Sequence, residues 1–213
     1  EVRRGEKTWS YPDLSTPLPR LLAAMDEARG ADRSTIIKLI REDGLPRECI
    51  PTEHLNDPEV WEALLVEMPL MAMVRNLAKM TTIGLLSPSS EATRTVRSRL
   101  HDQEFIRKSR LHPLAILLAA ATYRQGRGLK GSLQWTPVSA INDALDDAFY
   151  LAFGNVRPAN KRTLIGLDVS GSMAAGHVAG TPLTPREAAA AMAMVTARTG
   201  PDYQILAFQD QFV

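Results

Sequence analysis

The sequence predicts an all-α stack of helix pairs over residues 17–154, followed by the opening of an open α/β sheet over 163–213. Three observations carry this. Proline recurs where helices begin, at Pro58, Pro69, Pro88, Pro113 and Pro137, with stop glycines at Gly84, Gly126 and Gly154. That is the punctuation of short-looped helices, because proline's missing N–H would be unpaired in a first turn anyway. From residue 163 the grammar changes to an apolar run, a small-residue helix pattern and a second apolar run, which reads as strand, helix, strand. No strand pattern interrupts the first segment.

Taken in order, residues 1–16 are polar and without a clear period, and read as a linker or arm. A helix is expected from Pro17 to Arg29, with Leu18, Leu21, Leu22 and Met25 on one face and Gly30 ending it. Asp32 is placed to cap a second helix carrying Ile36, Ile37, Leu39 and Ile40, stopped at Gly44. Leu45–Asn56 is connecting structure. Asp57-Pro58 opens a helix through Trp61, Leu64 and Leu65; Pro69 opens one with Met73, Val74, Leu77 and Met80 inward. Ser87-Pro88 is expected to start an Arg-rich helix through Val96 and Leu100. His112-Pro113 starts one with Ile116, Leu117, Ala120 and Tyr123, in which His112 reads as a cap. Thr136-Pro137 starts the last, with Val138, Ile141, Leu145 and Phe149. Asp143, Asp146 and Asp147 then form a polar face. Helix-pair solenoids of the HEAT or armadillo type are the natural architecture, and a compact irregular bundle is the alternative.

After a connector at 155–162, Leu164–Leu167 reads as a buried strand that delivers Asp168 to its carboxyl end, where open sheets bind ligands. Asp168, Ser170 and Ser172 follow at every second position. In an extended segment such residues share one side, so a carboxylate and two hydroxyls converge as hard oxygen ligands suited to Mg²⁺ or Mn²⁺. A polar turn whose serines cap the next helix is the plainer reading. Residues 174–183 read as a flexible stretch, and Thr184-Pro185-Arg186-Glu187 reads as a capping box. The Ala/Met-rich helix after it suits flat packing on a sheet, and Tyr203–Phe208 reads as a second buried strand. Met71, Met73, Met80, Met192 and Met194 are expected as core fillers, and Trp135 as a packing anchor.

Composition excludes several classes. Hydrophobic residues make up 45% and charged residues 23% of the 213, ordinary for a globular chain. No apolar run approaches the roughly 18 residues of a membrane span, and no signal peptide is recognisable. The single Cys49 cannot form an internal disulfide, so a reducing, cytoplasmic setting is the default. No Gly-Lys-Ser/Thr phosphate loop, Gly-x-Gly-x-x-Gly or Ser/His/Asp ordering appears. Net charge is only +1, yet Leu70–Lys130 holds eleven Arg/Lys against three acids. That local excess is a polyanion signature. The candidate phosphate contacts are Arg75 and Lys79, an i, i+4 pair; Arg107, Lys108 and Arg110; and Arg124, Arg127 and Lys130. The last two lie in the loop Gly126-Arg127-Gly128-Leu129-Lys130-Gly131, which offers cations and open backbone amides.

The stretch Leu167-Asp168-Val169-Ser170-Gly171-Ser172-Met173 resembles the metal-ion-dependent adhesion motif of the von Willebrand A fold. Combined with the basic helical segment, the chain resembles the Ro autoantigen family, whose bacterial members are Ro sixty-related ring proteins. Trp61–Leu65, Met68–Leu70, Arg75–Thr81, Arg110–Pro113, Gly126–Trp135, Ala188–Val195, Arg198-Thr199 and Ala207–Asp210 extend the resemblance over roughly 33–213. It implies a ring of HEAT-like helices joined to the first part of a Rossmann-like von Willebrand A domain. It implies Y RNA on an outer basic surface, ends of misfolded RNA in the central hole, and no catalysis. It further implies RNA degradation with polynucleotide phosphorylase, and neither a membrane nor a DNA partner. The family's metal set would take Asp168, Ser170 and Ser172, with a Thr and an Asp from later loops expected beyond Val213; Asp210 is expected in a turn or cap. A chain that starts without Met and stops after a strand reads as an excerpt, whose two-strand sheet would need further residues or a partner to cover it. Two other functions stay open: a scaffold whose metal captures an acidic partner residue, and a metal-dependent nuclease.

Overall fold

Side-chain caps fix most helix starts in this chain, and they show best where the elements lie. A computed structural model describes residues 2–4, 7–9, 19–129 and 131–209. The chain divides into two compact units, Glu1–Glu67 and Met68–Val213, so the division falls inside the segment read as one helical domain.

In the first unit, β1 (Val2–Arg4) pairs antiparallel with β2 (Lys7–Trp9), within the stretch expected to be a linker. β-Formers flanking Gly5-Glu6 were the legible signal for that pairing. α1 (Arg20–Glu27) begins three residues later than Pro17, because Pro19 is extended and its carbonyl takes the amides of Leu22 and Ala23. Ala24, and Ala28 just past its end, are buried, while Leu22 and Met25 are half-buried and Leu21 is 44% exposed. α2 (Arg33–Asp43) is capped by Asp32, whose Oδ1 accepts the Thr35 amide at 2.8 Å. That bond, first among several, holds the Asp32 carboxyl below its ordinary value. Gly44 ends α2 at φ +66°, a conformation costly for any residue with a Cβ. Two 3₁₀ turns, Arg47–Cys49 and Thr52–Asn56, lead to α3 (Pro58–Glu67). Trp61 on α3 is fully buried; its indole N–H donates to Leu55 O at 2.9 Å, with the Arg47 guanidinium over its ring.

The second unit holds α4 (Leu70–Thr82), α5 (Glu91–His101), α6 (Gln103–Ser109), α7 (Pro113–Arg124) and α8 (Ser139–Leu151). β3 (Thr163–Asp168), α9 (Pro185–Thr199) and β4 (Tyr203–Phe208) complete it. α8 packs against α5 and α7, and α4 against α6 and α7. Met73, Leu77, Met80, Val96, Leu100, Ile106, Ile116, Ile141 and Leu145 form a fully buried core between them. Two starts differ from expectation. Ser90, not Ser87, caps α5 by accepting the Thr93 amide at 3.2 Å, because Ser87-Pro88 forms the preceding turn. α8 starts at Ser139 because Val138 is extended and gives its N–H to the Tyr123 hydroxyl at 3.1 Å. The sequence also concealed a break: Asp102 ends α5 and caps α6, its Oδ1 accepting the Glu104 and Phe105 amides. His112 caps α7 as expected, accepting the Leu114 amide at Nδ1. The connector is anchored, since the Asn155 amide donates to Ile106 O and Leu111 O at 3.0 and 2.9 Å.

β3 and β4 pair in parallel, Thr163 opposite Tyr203 through Asp168 opposite Phe208. The strands are not buried throughout. Leu164 is 66%, Tyr203 47% and Ile205 41% exposed, although α9 packs against both strands. Met192 on α9 is likewise exposed rather than a core filler.

One polar chain ties α4, α7 and α8 together. The Val138 amide donates to the Tyr123 hydroxyl, which meets the Thr81 hydroxyl at 2.9 Å; Thr81 in turn donates to Leu77 O at 2.9 Å. Tyr123→Phe leaves the buried Val138 amide without its acceptor and is expected to cost about 1–3 kcal/mol. Urea denaturation of the variant measures this; an unchanged midpoint would contradict the relay.

Candidate metal loop and nucleic-acid interface

β3 carries Asp168 to its carboxyl end, and the Val169 amide extends the pairing by donating to Phe208 O at 2.9 Å. The backbone then leaves the strand. Ser170 begins a 3₁₀ turn, Gly171–Ala174, closed by Met173 N to Ser170 O at 3.1 Å. The three side chains therefore converge through a turn rather than along an extended segment. Asp168 Oδ1 accepts the Ser170 amide at 2.9 Å and the Ser170 hydroxyl, and the Ser170 and Ser172 hydroxyls are 3.3 Å apart. The Ser170 hydroxyl first, and its amide second, hold the Asp168 carboxyl below its ordinary value. One carboxylate and two hydroxyl oxygens make a hard donor set of the type Mg²⁺ or Mn²⁺ accepts. Among the described residues no group of three or more His, Cys, Asp and Glu forms a competing cage.

α9 starts beside this loop. Thr184 Oγ accepts the Glu187 amide at 3.2 Å, and Glu187 Oε2 accepts the Thr184 amide at 2.8 Å, completing the expected capping box. Arg186, which sequence reasoning passed over as part of that box, donates from Nη2 to Ser170 O at 3.2 Å and Val169 O at 3.5 Å. His177 sits in the following turn, in a cleft it shares with Arg127, Gly128 and Ser132.

The cations lie on four elements of the second unit: α4, α6, α7 and the hairpin that follows α7. Arg75 and Lys79 are on α4. Arg75 is exposed, with no ion pair among the described residues, and edges a groove with Met71, Ala78 and Ala115. Arg107 and Lys108 are on α6, both paired to Glu104; the Arg107–Glu104 contacts are 2.9 Å each and Lys108 is at 3.7 Å. Arg110 ends α6 in the left-handed region at φ +56°. Arg124 grips both oxygens of Asp146 at 2.8 and 2.9 Å, so the aspartates of α8 do more than face solvent. Asp147 likewise takes His101 at 3.0 Å, whose other ring nitrogen meets Arg97 O; this accounts for His101 structurally. Exposed pairs of this sort are worth about 0–1 kcal/mol, so a phosphate can exchange for the carboxylate.

The glycine-rich loop is not an open chain of amides. Arg127 bridges Gln134, Gly128 N donates to Leu133 O at 2.9 Å and Trp135 N to Gly126 O at 3.0 Å, making a hairpin. Trp135 anchors it, with its ring stacked on Tyr123 and its indole N–H on Tyr123 O. Gly126 is required there: at φ +70°, a Cβ would lie 2.9 Å from Trp135 O. Arg127 projects from the hairpin exposed, while Lys130 and Asp210 lie outside the described residues.

The capping box gives a pH prediction. The Thr184 bonds hold the folded Glu187 carboxyl below its ordinary value, so their stabilisation is present above that ordinary value and is lost as pH falls through the folded pKa. Glu187→Ala should thus destabilise the chain at pH 7, and the difference should shrink below pH ~4. Denaturant titrations of both proteins at the two pH values measure it.

Family models match two stretches of the chain: the TROVE domain at residues 18–122 and the Ro60 vWA domain at 162–213. A protein named RNA-binding protein RO60 from Deinococcus radiodurans is 42% identical over 204 residues, 94% of this chain. One of the same name from Caenorhabditis elegans is 40% identical over 226 residues, 99% of this chain. The chain spans 38% and 35% of the lengths of these relatives. The crystal structure of the Deinococcus radiodurans RO (RSR) protein superposes with a TM-score of 0.84 at 42% identity, covering 94% of this chain and 41% of that one.

Proposed function

Because the chain belongs to the Ro family, carrying a TROVE domain and the start of a Ro60 vWA domain, we propose that it is part of an RNA-binding ring protein. The single observation that carries this reading is the roughly 40% identity, over nearly the whole chain, to two proteins named for RNA binding. The charge distribution supports it physically. Cations on α4, α6, α7 and the hairpin are mostly exposed, and those in ion pairs hold them weakly. A phosphate backbone is the ligand such a surface suits, since phosphate contacts position an RNA while shape and single-stranded features specify it. In this proposal the RNA is a small structured noncoding RNA of the Y type or the end of a misfolded RNA, bound without chemistry. A 3′ exoribonuclease such as polynucleotide phosphorylase would be the degradative partner, in the cytoplasm. No helix among the described residues is long and apolar enough to cross a membrane.

The metal is the second part of the proposal. Asp168, Ser170 and Ser172 would hold Mg²⁺ or Mn²⁺, which would supply a fixed positive charge at the end of β3.

Fluorescence anisotropy with a labelled hairpin RNA tests the first part. Each neutralised phosphate releases a counterion, so four such contacts should cost about 100-fold in affinity between 50 and 200 mM salt. Arg75→Glu with Arg127→Glu should weaken binding at least tenfold without lowering the melting temperature, and an affinity indifferent to both salt and charge reversal overturns the reading. For the second part, Mn²⁺ should raise the melting temperature of the native chain and leave Asp168→Ala unmoved; equal shifts in the two would remove the metal.

A further inference from the structure

We propose that Arg186 is a positioning residue of the metal loop: its guanidinium clamps the backbone of Val169 and Ser170 to α9, so that the oxygens of Asp168, Ser170 and Ser172 stay converged. This rests on the metal reading above and extends it to a residue outside the oxygen set.

Four observations support the clamp. Arg186 Nη2 reaches the carbonyls of both residues that join the strand to the 3₁₀ turn, at 3.5 Å to Val169 and 3.2 Å to Ser170. Ser170 O is also the acceptor that closes that turn by taking the Met173 amide at 3.1 Å. One carbonyl therefore joins the clamp to the turn that delivers Ser172. On its other side the same backbone is fixed by Val169 N to Phe208 O at 2.9 Å, so the loop is held between β4 and α9.

The third observation is where the cation stands. Arg186 is the second residue of α9, and a helix N-terminus carries the positive end of the backbone dipole, which disfavours a cation. Among the described residues no carboxylate pairs with it to offset that. The loop carbonyls are its partners, and holding them is the interaction that compensates for the placement. Fourth, the Thr184–Glu187 capping box fixes the first turn of α9, so the base from which Arg186 extends is itself rigid. Groups that orient a metal's ligands commonly decide its affinity by holding geometry rather than by touching the ion.

Charge and geometry make opposite predictions here. If Arg186 acted only as a nearby positive charge it would repel a divalent ion, and its removal would tighten binding. If it positions the loop, removal loosens binding. The test measures Mn²⁺ affinity by electron paramagnetic resonance of the free ion with the native chain, Arg186→Met, Arg186→Lys and Asp168→Ala. It is paired with hydrogen exchange of the Val169–Met173 amides without metal. Arg186→Met is expected to bind Mn²⁺ about tenfold more weakly and to exchange faster in that segment, with Arg186→Lys recovering most of both. Unchanged or tighter Mn²⁺ binding by Arg186→Met, while Asp168→Ala loses it, overturns the clamp and leaves the metal site standing. Native chain and Asp168→Ala binding alike would instead remove the metal site, and the clamp's role with it.

Discussion

The packing of the second unit depends on a single buried phenol. Tyr123 is 2% exposed, and a tyrosine can be buried at that level only if its hydroxyl is satisfied. Here the hydroxyl serves in both directions: it accepts the Val138 amide and meets Thr81, whose own proton goes to the Leu77 carbonyl. The first link defines where α8 begins, the second fastens α4, and the ring face takes the Trp135 stack that anchors the hairpin. Every element carrying a candidate phosphate contact on α4, α7 or the hairpin is therefore positioned by one side chain. Such a chain is costly to interrupt where it is buried, at the Tyr123 hydroxyl and the Val138 amide that it accepts.

The polar groups around that core follow one rule at different scales. Asp32, Ser90, Asp102, His112 and Thr184 each spend a side-chain acceptor on amides that a helix start leaves unpaired. Asp168 does the same for the Ser170 amide at a strand end, so the candidate metal loop is built from the chemistry that caps helices. What separates it from a cap is the second and third oxygens, brought alongside by the 3₁₀ turn. A polar turn and a cation site are two uses of one geometry, and the presence of Arg186 on the loop's carbonyls is what an ordinary cap does not call for.

Much of this was legible from residues. The capping box at Thr184, the His112 cap, the Gly44 stop and the parallel strand–helix–strand unit follow from local chemistry, and local chemistry is what a sequence displays. The errors share a cause as well. Proline marks where a helix can begin, but tertiary hydrogen bonds decide where it does: Val138 gives its amide to Tyr123, and the Ser87-Pro88 turn leaves Ser90 to cap. Strand burial failed for a related reason. An apolar run shows that a strand can be covered on both faces, whereas Leu164 and Tyr203 show that coverage belongs to the neighbours. The glycine-rich loop looked like a row of free amides because cross-loop pairing such as Gly128 to Leu133 leaves no mark in composition. Arg186 was missed because its partners are main-chain carbonyls sixteen and seventeen residues away, and no residue type announces a carbonyl acceptor.

The ion pairs sharpen what a basic segment means. Counting eleven cations against three acids between Leu70 and Lys130 treats them as equivalent, and the structure does not. Glu104 holds Arg107 and Lys108, and Asp146, from beyond that segment, holds Arg124. Arg75 and Arg127 have no carboxylate among the described residues. A guanidinium already in a fork with a carboxylate is oriented before a ligand arrives, and loses less freedom on exchange than a free one. It must also release an acid, which then repels the incoming phosphate. In the RNA complex proposed above, the unpaired arginines would face no such competitor and would set affinity at low salt, while the paired ones would act as a screen that only a well-fitted polyanion displaces. A uniformly basic surface would bind any nucleic acid; one with its own carboxylates interleaved demands that the phosphates sit where the carboxylates already are.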